Sequence, residues 1–215
     1  MLVMKPKPYS ETQLHRFMDK MGDAFDYAIN NCKMDGAEFV KMFVASTACK
    51  KIENGEASYI SGKSGIEIAI ECVYEITGKE LSVEPCEEFN RGAPYWCGWA
   101  VCYYQWWSSR KYADIFKAVS FEDMLGLYTT LHEASVEKFA FVLDERVRAA
   151  YPETNLKRIR TAYGCSQREL SEMSSVSLRS IQMYEQRNKD INKARSDSLY
   201  RLAKALGCTM EDLLE

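Results

Sequence analysis

Apolar residues recur along this chain at helical and not at strand spacing. Leu14, Phe17, Met18, Met21 and Phe25 fall at i, i+3, i+4, i+7 and i+11, the single stripe of an amphipathic helix from about Ser10 to Ala28. Asp35 and Glu38 have the spacing of a capping box and open a second helix with Phe39, Val40, Phe43 and Val44 on its face. A third runs from about Ser64 to Ile76 and stops at Gly78. Ser120 caps a further one bearing Met124, Leu127, Tyr128 and Leu131, and Val136, Phe139, Ala140 and Leu143 mark another. Proline and charge between Ser82 and Pro94 imply a loop.

The stretch Tyr95 to Trp107 differs from these because it is apolar nearly all round. Trp96, Trp99, Tyr103 and Trp106 share one helical face, and Val101 and Tyr104 cover the other. A helix without a polar face is expected at the centre of a core, its ring N–H and O–H groups bonded locally. Exposure of Trp107, Tyr104 or Arg110 would instead mark a patch for a partner protein.

From Asn155 onward five short helices are expected. Leu156, Ile159 and Tyr163 form the face of the first, which Gly164 stops. Ser166 caps the second, Gln167 to Met173, and Ser166 with Glu169 form an S-x-x-E box. Ser177 caps a third that reaches about Gln186. The fourth covers about Ala194 to Leu206, with Leu199, Leu202, Ala203 and Leu206 on one side and Gly207 as its stop. Thr209 caps a last short helix through Leu214. A short capped helix, a tight turn and a second capped helix are what a helix-turn-helix requires, and its second helix fits the DNA major groove. Leu178, Arg179, Gln182 and Met183 are expected to face outward there, with Ile181 and Tyr184 inward. Arg179 is the residue expected to read a base, since a guanidinium contacts guanine in bidentate fashion, and Leu178 and Met183 suit thymine methyls.

The segments LKRIR, CSQREL, VSLRSIQMYEQ and LYRLAKALGCTMEDLL, spread over Asn155–Glu215, resemble the Cro/cI-type (XRE) helix-turn-helix family in both content and mutual spacing. The resemblance implies that Gln167 binds a phosphate and braces the recognition helix, that Ser166, Gln186, Arg187 and Lys189 lie near the DNA backbone, and that Arg160 and Glu185 form a supporting ion pair. It also implies a dimer on paired half-sites. Three positions depart from the family pattern. Ser175 stands where glycine is common in the turn, Ser174 where an apolar residue is usual, and Arg187 where glycine often ends the helix.

Charge supports a division of the chain. The 215 residues carry 28 Lys+Arg against 31 Asp+Glu. Residues 151–215 hold 11 and 9 of these, net +2, which leaves 17 and 22, net −5, for residues 1–150. Pro152 disfavours helix at Tyr151, so the expected organisation is a mostly helical domain at 1–150 and a helix-turn-helix domain at 151–215. Tyr95–Trp107 is too short for the ~18 to 20 apolar residues of a bilayer crossing. Met1–Pro8 is basic but runs into Ser10, Glu11 and Thr12, where a secretion signal needs an apolar run, so a cytoplasmic protein with no membrane role is expected.

Three other features attract chemistry. Ser61-Gly62-Lys63-Ser64-Gly65 contains the Gly-Lys-Ser of a phosphate loop, but position 57 is Ala where that pattern needs Gly, and no apolar strand precedes it. A turn into a helix capped by Ser64 accounts for it. His132-Glu133 and His15 lack a Ser or Cys partner at a recognisable spacing, so no catalytic residue is assigned and no enzyme is expected. Eight cysteines are scattered without a Cys-x-x-Cys pair, so neither a zinc site nor any cofactor is expected.

The resulting expectation is a mainly α protein: a sequence-specific transcription regulator, acting as a repressor on operator DNA as a homodimer. Residues 1–150 would serve dimerisation or bind a partner or effector. Two forms are open, an antitoxin whose partner is a toxin and a small-molecule-responsive repressor. A nucleotide-using enzyme with a DNA tether rests on Gly62-Lys63-Ser64 alone.

Overall fold

The computed structural model describes residues 7–84 and 91–215. Among them are helices and no strand, in two compact units, Lys7–Ala150 and Tyr151–Glu215.

The larger unit is built from α1 (Glu11–Asp26), α2 (Gly36–Ala45), α3 (Thr47–Glu53), α4 (Ala57–Ile60), α5 (Gly65–Thr77), α6 (Ala93–Ser108), α7 (Tyr112–Ala118), α8 (Phe121–Leu131) and α9 (Val136–Ala150). The expected stripe of α1, Leu14 through Phe25, is buried throughout. The helix does not simply end near Ala28 but widens into a π-turn, Tyr27–Asn31, and the Tyr27 hydroxyl donates to the Val83 carbonyl at 2.8 Å. Asp35 caps α2 by accepting from the Glu38 amide at 2.9 Å, the reciprocal half of the expected box being absent. Full boxes open α5 at Ser64–Glu67 and α8 at Ser120–Asp123, and Gly78 closes α5 in the left-handed region at φ 68°.

The aromatic segment is the central helix. α6 packs chiefly on α1, and also on α8 and α9. Trp96 meets Tyr128 edge-on at 5.7 Å and Phe139 at 5.0 Å. Its buried polar ring groups are bonded inside the unit: Trp106 Nε1 donates to the Tyr9 carbonyl at 2.9 Å, and the Tyr104 and Tyr95 hydroxyls donate to Asp144 and Asp19 at 3.0 Å each. Of the three residues whose exposure would mark a partner patch, Trp107 is exposed, Arg110 is half-buried and Tyr104 is fully buried, so the helix is core except for one ring at its end. Helices α1 and α6 approach so closely that a Cβ at Gly98 would collide with the Met21 carbonyl oxygen, which explains a glycine in mid-helix.

Part of the loop expected at Ser82–Pro94 is helix instead, because α6 starts at Ala93 and holds Pro94 in its first turn, where a missing N–H costs nothing. The middle of that loop lies outside the described residues. Cysteines 49, 72, 97 and 102 are buried, and burial pushes the Cys72 thiol up to about 11 and those of Cys97 and Cys102 to about 12.

The smaller unit contains α10 (Asn155–Tyr163), α11 (Gln167–Ser174), α12 (Leu178–Glu185), a 3-10 turn (Ile191–Lys193), α13 (Ser196–Leu206) and a second 3-10 turn (Glu211–Leu213). Leu156, Leu170, Ile181, Leu202 and Leu213, none of them exposed at all, centre its core. Three details differ from the sequence reading. Tyr163 is exposed and not part of the buried face. α13 begins two residues after Ala194, because Asp190 caps the separate 3-10 turn by accepting from the Asn192 amide at 2.9 Å. The last element is a 3-10 turn and no α-helix, though Thr209 Oγ1 does accept from the Asp212 amide at 3.3 Å.

Candidate nucleic-acid interface

Helix α11 starts on a reciprocal box: Ser166 Oγ accepts from the Glu169 amide at 3.2 Å, and Glu169 accepts from the Ser166 amide at 2.7 Å. The hydrogen bonds from the Ser166 amide and hydroxyl hold the Glu169 carboxyl below the usual range. Where the chain turns, Ser175 takes the left-handed conformation at φ 54° that favours glycine. Ser174, in a place usually apolar, is buried but bonded, since its hydroxyl donates to the Leu170 carbonyl at 2.6 Å and accepts from the Val176 amide at 3.3 Å. Ser171 ties the Val176 carbonyl at 2.7 Å, and Ser177 Oγ accepts from the Ser180 amide at 3.2 Å to start α12. The hydroxyls of Ser171, Ser174 and Ser177 thus satisfy the backbone of one tight corner.

The far end of α12 is fixed from below. Arg160 on α10 grips Glu185 in fork geometry, and its Nη1 also donates to the Cys165 carbonyl at 2.7 Å. The hydrogen bonds it donates to Glu185 raise the already high pKa of Arg160, so the guanidinium stays charged. Gln167 Nε2 donates to the same carboxylate at 2.8 Å. Gln167 therefore links the start of α11 to the end of α12, which is the bracing the family resemblance implies.

On the outer surface of α12, Arg179 is exposed, and Leu178, Gln182 and Met183 are half-buried, while Ile181 and Tyr184 point into the core. Ser166, Ser177, Gln186 and Lys189 are exposed, Gln167 half-buried. Lys189 Nζ sits 5.3 Å from the centre of the Tyr184 ring, and Gln186 accepts from the Asn188 amide group at 3.0 Å. Arg187 behaves differently from the rest: its guanidinium is turned onto Glu215 at 2.9 Å and onto main-chain carbonyls of the same unit. Sequence reasoning passed over Arg168 and Arg195, which are exposed and in no ion pair among the described residues. The signal was present in the count of basic residues but carries no spacing that separates them from paired ones such as Lys157 and Lys193.

Among the other sequence candidates, Ser64, Lys63 and His132 make structural contacts. Ser64 caps α5, and Lys63 pairs with Glu71 and lies 4.6 Å from the Tyr59 ring centre. His132 stacks on Tyr128 at 4.6 Å with Nδ1 2.7 Å from the Tyr128 carbonyl oxygen, and His15 is exposed. Among the described residues no group of three or more His, Cys, Asp or Glu is placed to hold a metal ion, and no helix is long and apolar enough to cross a membrane.

A family model described as helix-turn-helix, of the Cro/cI type, matches residues 156–213, and none matches the preceding part of the chain. Neither a curated protein nor a solved structure matches. The match coincides with the serine-rich corner and the helix braced behind it, and it identifies this segment as the DNA-binding part of a transcription regulator.

Proposed function

We propose that the protein represses transcription by laying α12 into the major groove of an operator, with Arg179 reading a base and Ser166, Gln167, Ser177, Gln186 and Lys189 lining the backbone. The observation that carries this reading is the state of α12: capped at Ser177, braced through Glu185, and presenting one exposed arginine in its first turn. Base edges in that groove offer donors and acceptors a guanidinium can discriminate. One such unit meets few phosphates, so a homodimer on half-sites about one helical turn apart completes the reading.

Mobility shifts of the full chain on duplex DNA from its own upstream region test this at two salt concentrations. Phosphate contacts require affinity that falls steeply as salt rises. Arg179→Ala is expected to relax sequence preference at one position with a loss of about 1 to 3 kcal/mol. Binding indifferent to both changes overturns the proposal. Residues 1–150 then serve dimerisation and partner binding. A stable complex with a toxin-like product of an adjacent gene supports the antitoxin form, and release of DNA by a small molecule supports the effector form.

A further inference from the structure

Arg187 directly follows α12 and its C-cap Gln186, and its backbone is left-handed at φ 55°. All three nitrogens of its guanidinium donate within the smaller unit. Nε and Nη2 reach Glu215 Oε2 at 3.1 and 2.9 Å, Nη1 reaches the Pro152 carbonyl at 2.9 Å, and Nη2 also reaches the carbonyls of Tyr151 at 2.9 Å and Glu153 at 3.4 Å. One side chain therefore gathers three consecutive carbonyls of the segment by which the chain arrives from Ala150.

Glu215 is held as firmly. Its other carboxylate oxygen accepts from the Asn155 amide at 2.6 Å, and its main-chain N and O pair with the Asn192 side chain at 3.0 Å each. Asn155 Nδ2 donates to the Leu214 carbonyl at 2.6 Å. The start of α10, the end of α12 and the incoming segment meet at this one carboxylate and guanidinium.

A phosphate-binding arginine needs its N–H groups directed outward, whereas here those of Nε and Nη2 and one of the two on Nη1 are spent on the protein, in a side chain 34% exposed. We propose that Arg187 is a positioning residue and not a phosphate ligand: it ties Tyr151–Glu153 to the end of the recognition helix, so that whatever displaces that segment alters the helix, and DNA held by the helix stiffens the segment. The second half follows from the first, because coupling between two sites is reciprocal. This rests on the DNA-binding reading above.

The experiment measures amide hydrogen exchange at residues 151–155 and the salt dependence of duplex binding, using the full chain and the upstream duplex. In the parent protein DNA slows exchange at 151–155. Arg187→Gly, which keeps the left-handed backbone, and Arg187→Lys, which keeps the charge but not the fork, both lose that slowing, and both retain the parent's slope of log affinity against log salt. A slope reduced by about 0.9 in Arg187→Gly, the signature of one lost phosphate contact, overturns the proposal. So does exchange at 151–155 that is indifferent to bound DNA. A parent chain that binds no duplex at all overturns the DNA-binding reading, a different result from either of these.

Discussion

Arg160 and Glu185 face each other through two parallel hydrogen bonds, Nε to Oε1 at 2.6 Å and Nη2 to Oε2 at 3.0 Å, with side chains only 12% and 2% exposed. The pair joins α10 to α12 across 25 residues of sequence and is almost removed from water.

Removal of one buried partner leaves the other as an uncompensated charge, a loss of about 3 to 5 kcal/mol. Glu185→Ala is therefore expected to destabilise the smaller unit by that amount and to abolish duplex binding at temperatures where the parent binds. The double change Arg160→Met with Glu185→Leu removes both charges and is expected to recover most of the stability. Urea denaturation, followed by amide exchange in α10 and α12, checks both outcomes.

Ser175 occupies a backbone region that costs an L-residue about 1 to 2 kcal/mol, part of which glycine returns as greater freedom in the unfolded chain. Ser175→Gly is expected to stabilise the smaller unit by about 0.5 to 1 kcal/mol with duplex affinity unchanged. A shift of the urea midpoint downward contradicts the strain assigned to this corner.

Gly98→Ala directs a methyl group at the backbone of α1, and no side-chain rotation relieves the contact. Overpacking of a filled core costs about 1 to 3 kcal/mol. The variant is expected to melt at lower temperature with a changed near-ultraviolet tryptophan spectrum, because Trp96 and Trp106 share its helix. Amide exchange in α11 and α12 stays at parent values, since those helices belong to the other unit.

The Glu169 carboxyl is held below the usual glutamate value by the Ser166 amide and hydroxyl. A depressed carboxyl contributes stability above the ordinary value, about 4.3, and the contribution is lost as pH falls through the folded-state value. The start of α11 is expected to stay closed at neutral pH and to fray only in acid. Carboxyl titration by NMR in the parent, compared with Ser166→Ala, measures it. In the variant the Glu169 value moves upward toward the ordinary one.

The parts visible in advance were those written in local spacing. Ser64, Ser120, Ser166 and Ser177 each lie three residues from the amide they cap, and Tyr95–Trp107 declared a central helix by having no polar side. Helices α3, α4 and α7 escaped because seven residues or fewer complete too few turns to show a period. The π-turn after α1 escaped because nothing in Tyr27–Asn31 distinguishes it from a continuing helix. The contacts of Arg187 were not legible for another reason: its partners lie 28 residues ahead at Glu215 and up to 36 behind at Tyr151, distances over which side-chain spacing says nothing. Ser174 and Ser175 departed from the family pattern without loss of the corner, since hydroxyls and one strained torsion replaced what an apolar residue and a glycine would supply.

The serine start and the Glu185 anchor together leave α12 with no loose turn at either end. A reader of this kind settles its disorder when it folds, so little remains to be frozen when it meets a groove. Its association entropy should then lack the large ordering penalty of segments that crystallise onto their target, and its dwell time should depend on the fit of a few side chains.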